Sequence, residues 1–315
     1  MIHFLTDTTT TDIARELNLA QEHYTLTTGR VLTLIIVASA SDDVEAILRA
    51  SRDASHEHPA RVLILLTGDS MDETYLDAEL RVGGEAGASE IVVMTLNGAM
   101  AHHPSSIVTP LLLPDTPIVA WWPNVHPENP AEDPIGKIAQ RRITSAQNFS
   151  QLSRNYSPGD SDTAWSAITA WRGIVASALD RYPHHEVQSV NISGDQGPEH
   201  TIAAGWLADA LGVPVTRNTV MPDSSSADDA DHQGEEQFAV ESLTLVMDDG
   251  EAISITRADN HTVGVQVPGA ARNLVALNVR SWAERLSEEL RHLEPDETYA
   301  RALRAIYFDN SHAEG

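Results

Sequence analysis

Two short apolar runs constrain this chain more than any other feature. Val31 to Ala38 reads Val-Leu-Thr-Leu-Ile-Ile-Val-Ala, and Arg61 to Thr67 reads Arg-Val-Leu-Ile-Leu-Leu-Thr. Each is brief and almost wholly aliphatic, the pattern of a strand buried on both faces. Between them Ser41-Asp42-Asp43 offers a helix cap, and Val44, Ile47 and Leu48 follow at helical spacing until Pro59 closes the segment. Strand, helix and strand in this order predict parallel pairing through a right-handed crossover.

The rest of the chain extends the pattern. A helix is expected over Ile13 to Glu22, after Thr11-Asp12. Leu76 to Val82 alternates apolar and charged residues, as a half-buried, antiparallel strand would. Glu90 to Leu96 and Ile118 to Trp122 read as further strands, the second stopped by Pro123. One long amphipathic helix is predicted over Asp162 to Tyr182, with Trp165, Ile168, Trp171 and Val175 on its apolar face. A second half then opens with strand Val187 to Ser193, a helix near Glu199 to Leu211 and strand Val213 to Val220. Phe238 to Met247, Ala252 to Arg257 and Thr262 to Val267 read as strands, with a hairpin break at Asp248-Asp249-Gly250. Asn273 to Leu293 is expected to be helical, as is Pro295 to about Ile306. The predicted fold is therefore α/β, with two α/β domains, 1–160 and 161–315, built on mixed, mainly parallel sheets flanked by helices. Residues 223–237 hold six acidic and no basic side chains, so they read as a mobile loop.

Composition narrows the function classes. The 315 residues carry 20 Lys and Arg against 46 Asp and Glu, a net charge of −26. That balance argues against nucleic acid and anionic membrane surfaces, and suits a protein partner with basic patches. Aromatic residues are only 5%, so the core is expected to be aliphatic. The absence of cysteine excludes disulfides, zinc–thiolate sites, iron–sulfur clusters and cysteine nucleophiles. No signal peptide is visible before Leu17, and the longest apolar run, Val31 to Ala38, is far short of the roughly 20 residues of a membrane span. The lack of cysteine is compatible with a cytosolic protein.

The motif search assigns no catalytic, cofactor-binding or metal-binding residue. Gly83-Gly84-Glu85-Ala86-Gly87-Ala88 resembles a phosphate loop, but a strand follows it and its glutamates would repel an anion. Ser193-Gly194-Asp195-Gln196-Gly197 lies between strand and helix, yet Asp195 and Glu199 sit where an anion would sit, so it reads as a capped turn. His56 and His58, His102-His103 and His184-His185 read as solvated histidines at helix ends. Neither a Gly-x-Ser-x-Gly elbow nor a His-Glu-x-x-His pair is present. Trp121-Trp122 is more informative. On a strand the two indoles face opposite sides, so one belongs to the core and the other is either core or an anchor for a partner. Arg141-Arg142 and Arg81 are scarce positive charges, suited either to an anion or partner or to plain ion pairs with acidic neighbours.

Several blocks, taken in order, resemble one family. They include Ser55-His-Glu-His-Pro-Ala-Arg61, Asp77-Ala-Glu-Leu-Arg-Val-Gly-Gly84, Pro110-Leu-Leu-Leu-Pro-Asp-Thr-Pro117, Ala120-Trp-Trp-Pro123 and Ile135-Gly-Lys-Ile-Ala-Gln-Arg-Arg-Ile-Thr144. Trp171-Arg172 and Ala204-Gly-Trp-Leu-Ala-Asp-Ala-Leu-Gly212 continue the match, while Ala167 stands where the family pattern has arginine. The chain is similar to the glucose-6-phosphate dehydrogenase assembly proteins, the OpcA family. The resemblance implies a cytoplasmic, non-catalytic factor, without cofactor, that binds glucose-6-phosphate dehydrogenase, promotes its active oligomer or raises its substrate affinity, and supports NADPH production. The alternatives are an enzyme acting on sugar phosphates, with Arg81, Arg141 and Arg142 as anion holders, or a sensor of a small phosphorylated ligand.

Overall fold

The computed structural model describes residues 2–23, 29–68, 73–83, 86, 89–220 and 238–310. The expected loop 223–237 and most of the Gly83 to Ala88 segment lie outside the described residues. The chain divides into two compact units that are not contiguous in sequence. The first takes Met1–Ala146, Asn155–Thr163 and Trp282–Pro295, and the second takes Gln147–Arg154, Ala164–Ser281 and Asp296–Gly315.

The first unit is an eight-stranded sheet in the order β1-β4-β5-β3-β2-β6-β7-β8. Its strands are β1 (Ile2–Leu5), β2 (Leu32–Ser39), β3 (Ala60–Thr67), β4 (Leu76–Arg81), β5 (Glu90–Leu96), β6 (Ile118–Trp122), β7 (Arg141–Thr144) and β8 (Asp160–Asp162). The two aliphatic runs pair in parallel at its centre, joined through α2 (Val44–Ala54), whose cap Asp43 accepts from the Ala46 N–H at 2.9 Å. β5, β6, β7 and β8 continue the parallel set, while at one end β4 pairs antiparallel with β5 and β1 antiparallel with β4. Period-two alternation splits the interior into two layers. Leu34, Ile36, Val62 and Ile64 face α2 and α7 (Trp282–Arg291), and Ile35, Leu63, Leu65 and Val92 face α1 (Thr10–His23) and α3 (Pro104–Val108).

The second unit is a six-stranded sheet in the order β10-β9-β11-β12-β13-β14. β9 (Val187–Gly194) and the edge strand β10 (Val215–Thr219) are parallel, joined through α6 (Pro198–Leu211). β11 (Val240–Met247), β12 (Ala252–Asp259), β13 (Thr262–Gln266) and β14 (Asn273–Ala276) follow as an antiparallel meander. Gly250, at φ 86, makes the turn between β11 and β12, a conformation that disfavours other residues. α6 packs against α8 (Glu297–Asn310) at Gly205, where an added Cβ would lie 2.3 Å from the Ala302 carbonyl oxygen. The expected α/β class thus stands, with mixed sheets flanked by helices. The parallel pairings are concentrated in the first sheet.

Three element expectations are corrected. The long helix over 162–182 is two helices, α4 (Thr163–Ala167) and α5 (Thr169–Asp180), because Ile168 leaves helical geometry at φ −88 and ψ 1. Asp162 belongs to β8. The helix expected over 273–293 begins as strand, since Asn273 to Ala276 complete the meander against β13 before α7 starts. Trp171 of α5 meets Trp206 of α6 edge-on, with centroids 6.0 Å apart. No described helix is long and apolar enough to cross a membrane.

Candidate functional site

The residues singled out in the sequence lie within the first unit's sheet. β6 is covered on both faces, so its adjacent indoles enter opposite layers: Trp121 is 0% exposed and Trp122 2%. Trp121 packs edge-on against Trp282, centroids 5.5 Å apart. The expectation that one indole could anchor a partner is corrected, because neither reaches a rim. Arg141 is buried against Glu289, with Nη2 2.5 Å from Oε2, and Ser161 donates to the same carboxylate oxygen at 2.6 Å. Arg142 pairs with Asp160 and donates to the carbonyls of Ala139 and Pro158. Burial raises the Asp160 carboxyl above its usual range, and the pull of Arg142 only partly offsets it. Arg81 pairs with Glu79 at 2.7 Å and with Glu45 at 3.3 Å. All three arginines are thus in ion pairs. Glu90 adds another buried set, held by Arg61 and by Arg30 at 2.7 Å.

The histidines separate. Among the described residues, the group with metal-ligand proximity is His185, Asp248 and Asp249, whose ligand atoms lie within 4.8 Å of one another on the surface of the second unit. Tyr182 donates to Asp249 at 2.6 Å and stacks on His185 at 4.6 Å, and this bond pushes its phenol up to about 12. These contacts already satisfy the cluster as a hydrogen-bonded clasp between the end of α5 and the β11–β12 turn.

The second unit contains the concavity that the sequence reading missed, a cleft of about 1080 Å³ between α6, α8 and β10. The small residues Ala204, Gly205 and Ala208 keep the α6 wall low. Arg217 enters from β10, and Arg301 and Arg304 from one face of α8. Arg217 donates to Thr201 Oγ1 at 2.9 Å, and Thr201 in turn donates to the Gly197 carbonyl at 3.0 Å, so the guanidinium is anchored to the first turn of α6. Arg301 reaches Asp209 at 3.0 Å. His200, 1% exposed, lies behind this wall with neither ring nitrogen in hydrogen-bond geometry. Burial and the Arg217 charge lower its pKa, while Asp195 and the backbone at Ile192 and Asp195 act in the opposite direction.

The signal available in the sequence was the spacing of Arg301 and Arg304, which places both on one helical face. The turn Ser193 to Gly197 reaches the cleft through Gln196, but the arginines come from β10 and from the final helix. Only the packing of α6 on α8 brings them together.

Two α/β units, the second with an arginine-lined cleft, define a class of two-domain α/β proteins. Family profiles divide the chain in the same order: the glucose-6-phosphate dehydrogenase subunit N-terminal domain matches residues 51–157, and the corresponding C-terminal domain matches residues 158–303. The chain belongs to the glucose-6-phosphate dehydrogenase assembly protein family, OpcA. Direct comparison with curated proteins gave no match. Among solved structures, a 3-ketoreductase from Actinomadura kijaniata is 11% identical with a TM-score of 0.43, covering 90% of this chain and 97% of that one. Biliverdin reductase from Synechocystis is 10% identical with a TM-score of 0.40, covering 90% and 99%. Likenesses this distant carry no functional inference.

Proposed function

We propose that this chain is a non-catalytic, cytoplasmic assembly factor that binds glucose-6-phosphate dehydrogenase and promotes its active oligomer. The observation that supports this reading is the pair of family matches, which together run from residue 51 to residue 303. Such a factor acts by binding the active form of the enzyme better than the inactive form, and contributes no reacting group. The net charge of −26 supports a partner with a basic docking face.

The test is a titration of the chain into glucose-6-phosphate dehydrogenase at fixed substrate and two ionic strengths. The expected effect saturates at a fixed protein-to-enzyme ratio, and association slows as salt rises. A coupling of about 1–3 kcal/mol corresponds to a change of roughly 5–150-fold in substrate affinity. Unchanged kinetics at saturating protein would overturn the reading. Conversion of glucose 6-phosphate by the chain alone would overturn its non-catalytic part.

A further inference from the structure

We infer that the cleft between α6, α8 and β10 is a binding site for a small phosphorylated metabolite, recognised through its phosphoryl group. The first reason is the sign of its charge. Acidic residues outnumber basic ones 46 to 20 in this chain, yet the described lining residues include three arginines and one carboxylate, Asp209. A guanidinium presents paired N–H donors that match phosphate oxygens, which makes arginine the residue of choice for this chemistry. The second reason is preorganisation. Arg217 is half-buried and held by Thr201 Oγ1, so little side-chain freedom remains for a ligand to remove. Arg301, paired with Asp209 at 3.0 Å, and Arg304 line the facing helix, so guanidinium groups stand on two walls. The third reason is shape. The cleft volume of about 1080 Å³ is on the scale of metabolite sites, and its walls combine hydroxyl groups of Thr216 and Thr219 with apolar Ala204 and Ile306. Hydroxyls suit a polyol body and the arginines its phosphoryl group.

This inference does not rest on the assembly-factor reading, and its test contains no dehydrogenase. The full chain is titrated calorimetrically with inorganic phosphate, glucose 6-phosphate and glucose. Saturable binding of a phosphate-bearing probe and none of glucose is expected. Arg304→Glu, on the exposed side of α8, should weaken that binding by about tenfold or more. Arg301→Gln tests the same wall while keeping its polarity, and thermal unfolding verifies that both variants are folded. Arg15→Glu, on α1 of the first unit, controls for net charge and should leave binding unchanged. Absence of saturable binding of either phosphate probe would overturn the inference. So would equal weakening by Arg15→Glu and Arg304→Glu, which would mark a general charge effect.

Discussion

At the residue scale, two neighbouring arginines of β7 are buried with carboxylate partners on different elements. Arg141 and Arg142 are adjacent and looked like one positive patch, yet a strand sends neighbours to opposite faces. Their partners Glu289 and Asp160 lie far apart in the chain, and no local pattern joins them. Removing one partner of such a pair leaves an uncompensated buried charge, at a cost of about 3–5 kcal/mol. His200 supports a prediction of a different kind. Its pKa is lowered in the folded protein, chiefly by burial, with Arg217 disfavouring the charged form and Asp195 favouring it. The unfolded chain therefore binds the proton more readily. Its contribution to stability is complete above the unfolded value of about 6.5 and is lost as pH falls below it, at no more than about 1.4 kcal/mol per pH unit. Urea unfolding of wild type and His200→Leu at pH 7.5 and at pH 5.5, values chosen as about one unit to either side of that pKa, measures this. Wild type should lose more stability than the variant on acidification, and parallel losses would contradict the assignment.

At the element scale, most of the framework was legible. The aliphatic runs became β2 and β3, the alternating segment became β4, and the strand–helix–strand opening of the second half became β9, α6 and β10. Failures came where tertiary pairing overrode local pattern. Asn273 to Ala276 continue into a helical-looking segment but find β13 as a partner, and the four residues of β1 are too few to show a period. The cleft was illegible for a related reason: it exists only where α6 and α8 cross, and the contact depends on a missing side chain. Gly205→Ala should gain up to about 1 kcal/mol of helix propensity but force a Cβ into the Ala302 carbonyl and Ile306, for a net loss of about 1–3 kcal/mol. Gly173→Ala on α5 meets nothing within 4 Å and should be neutral or stabilising by roughly 0.5–1 kcal/mol. Chemical denaturation of the two variants side by side decides the matter. Equal stability changes would show that the close approach is not a constraint.

At the scale of the whole molecule, the sequence suggested a division at residue 160, whereas the compact units exchange chain segments. The first unit holds Trp282–Pro295, whose Leu286 and Leu290 cover one face of its sheet and whose Glu289 receives Arg141 and Ser161. A fragment ending at residue 163 would expose that face and leave the Arg141 guanidinium without its carboxylate. It should therefore aggregate or lack a cooperative unfolding transition, and adding a peptide of residues 282–295 should restore one. A soluble fragment with sharp unfolding on its own would refute this.

The late return of α7 also sets an order of events during synthesis. The strands of the first unit's sheet are translated before β9 to β14, but its last covering helix leaves the ribosome only after all of those later strands. Until then the nascent chain carries an uncovered apolar sheet face on which Arg141 lacks Glu289, the kind of surface that holding chaperones shield.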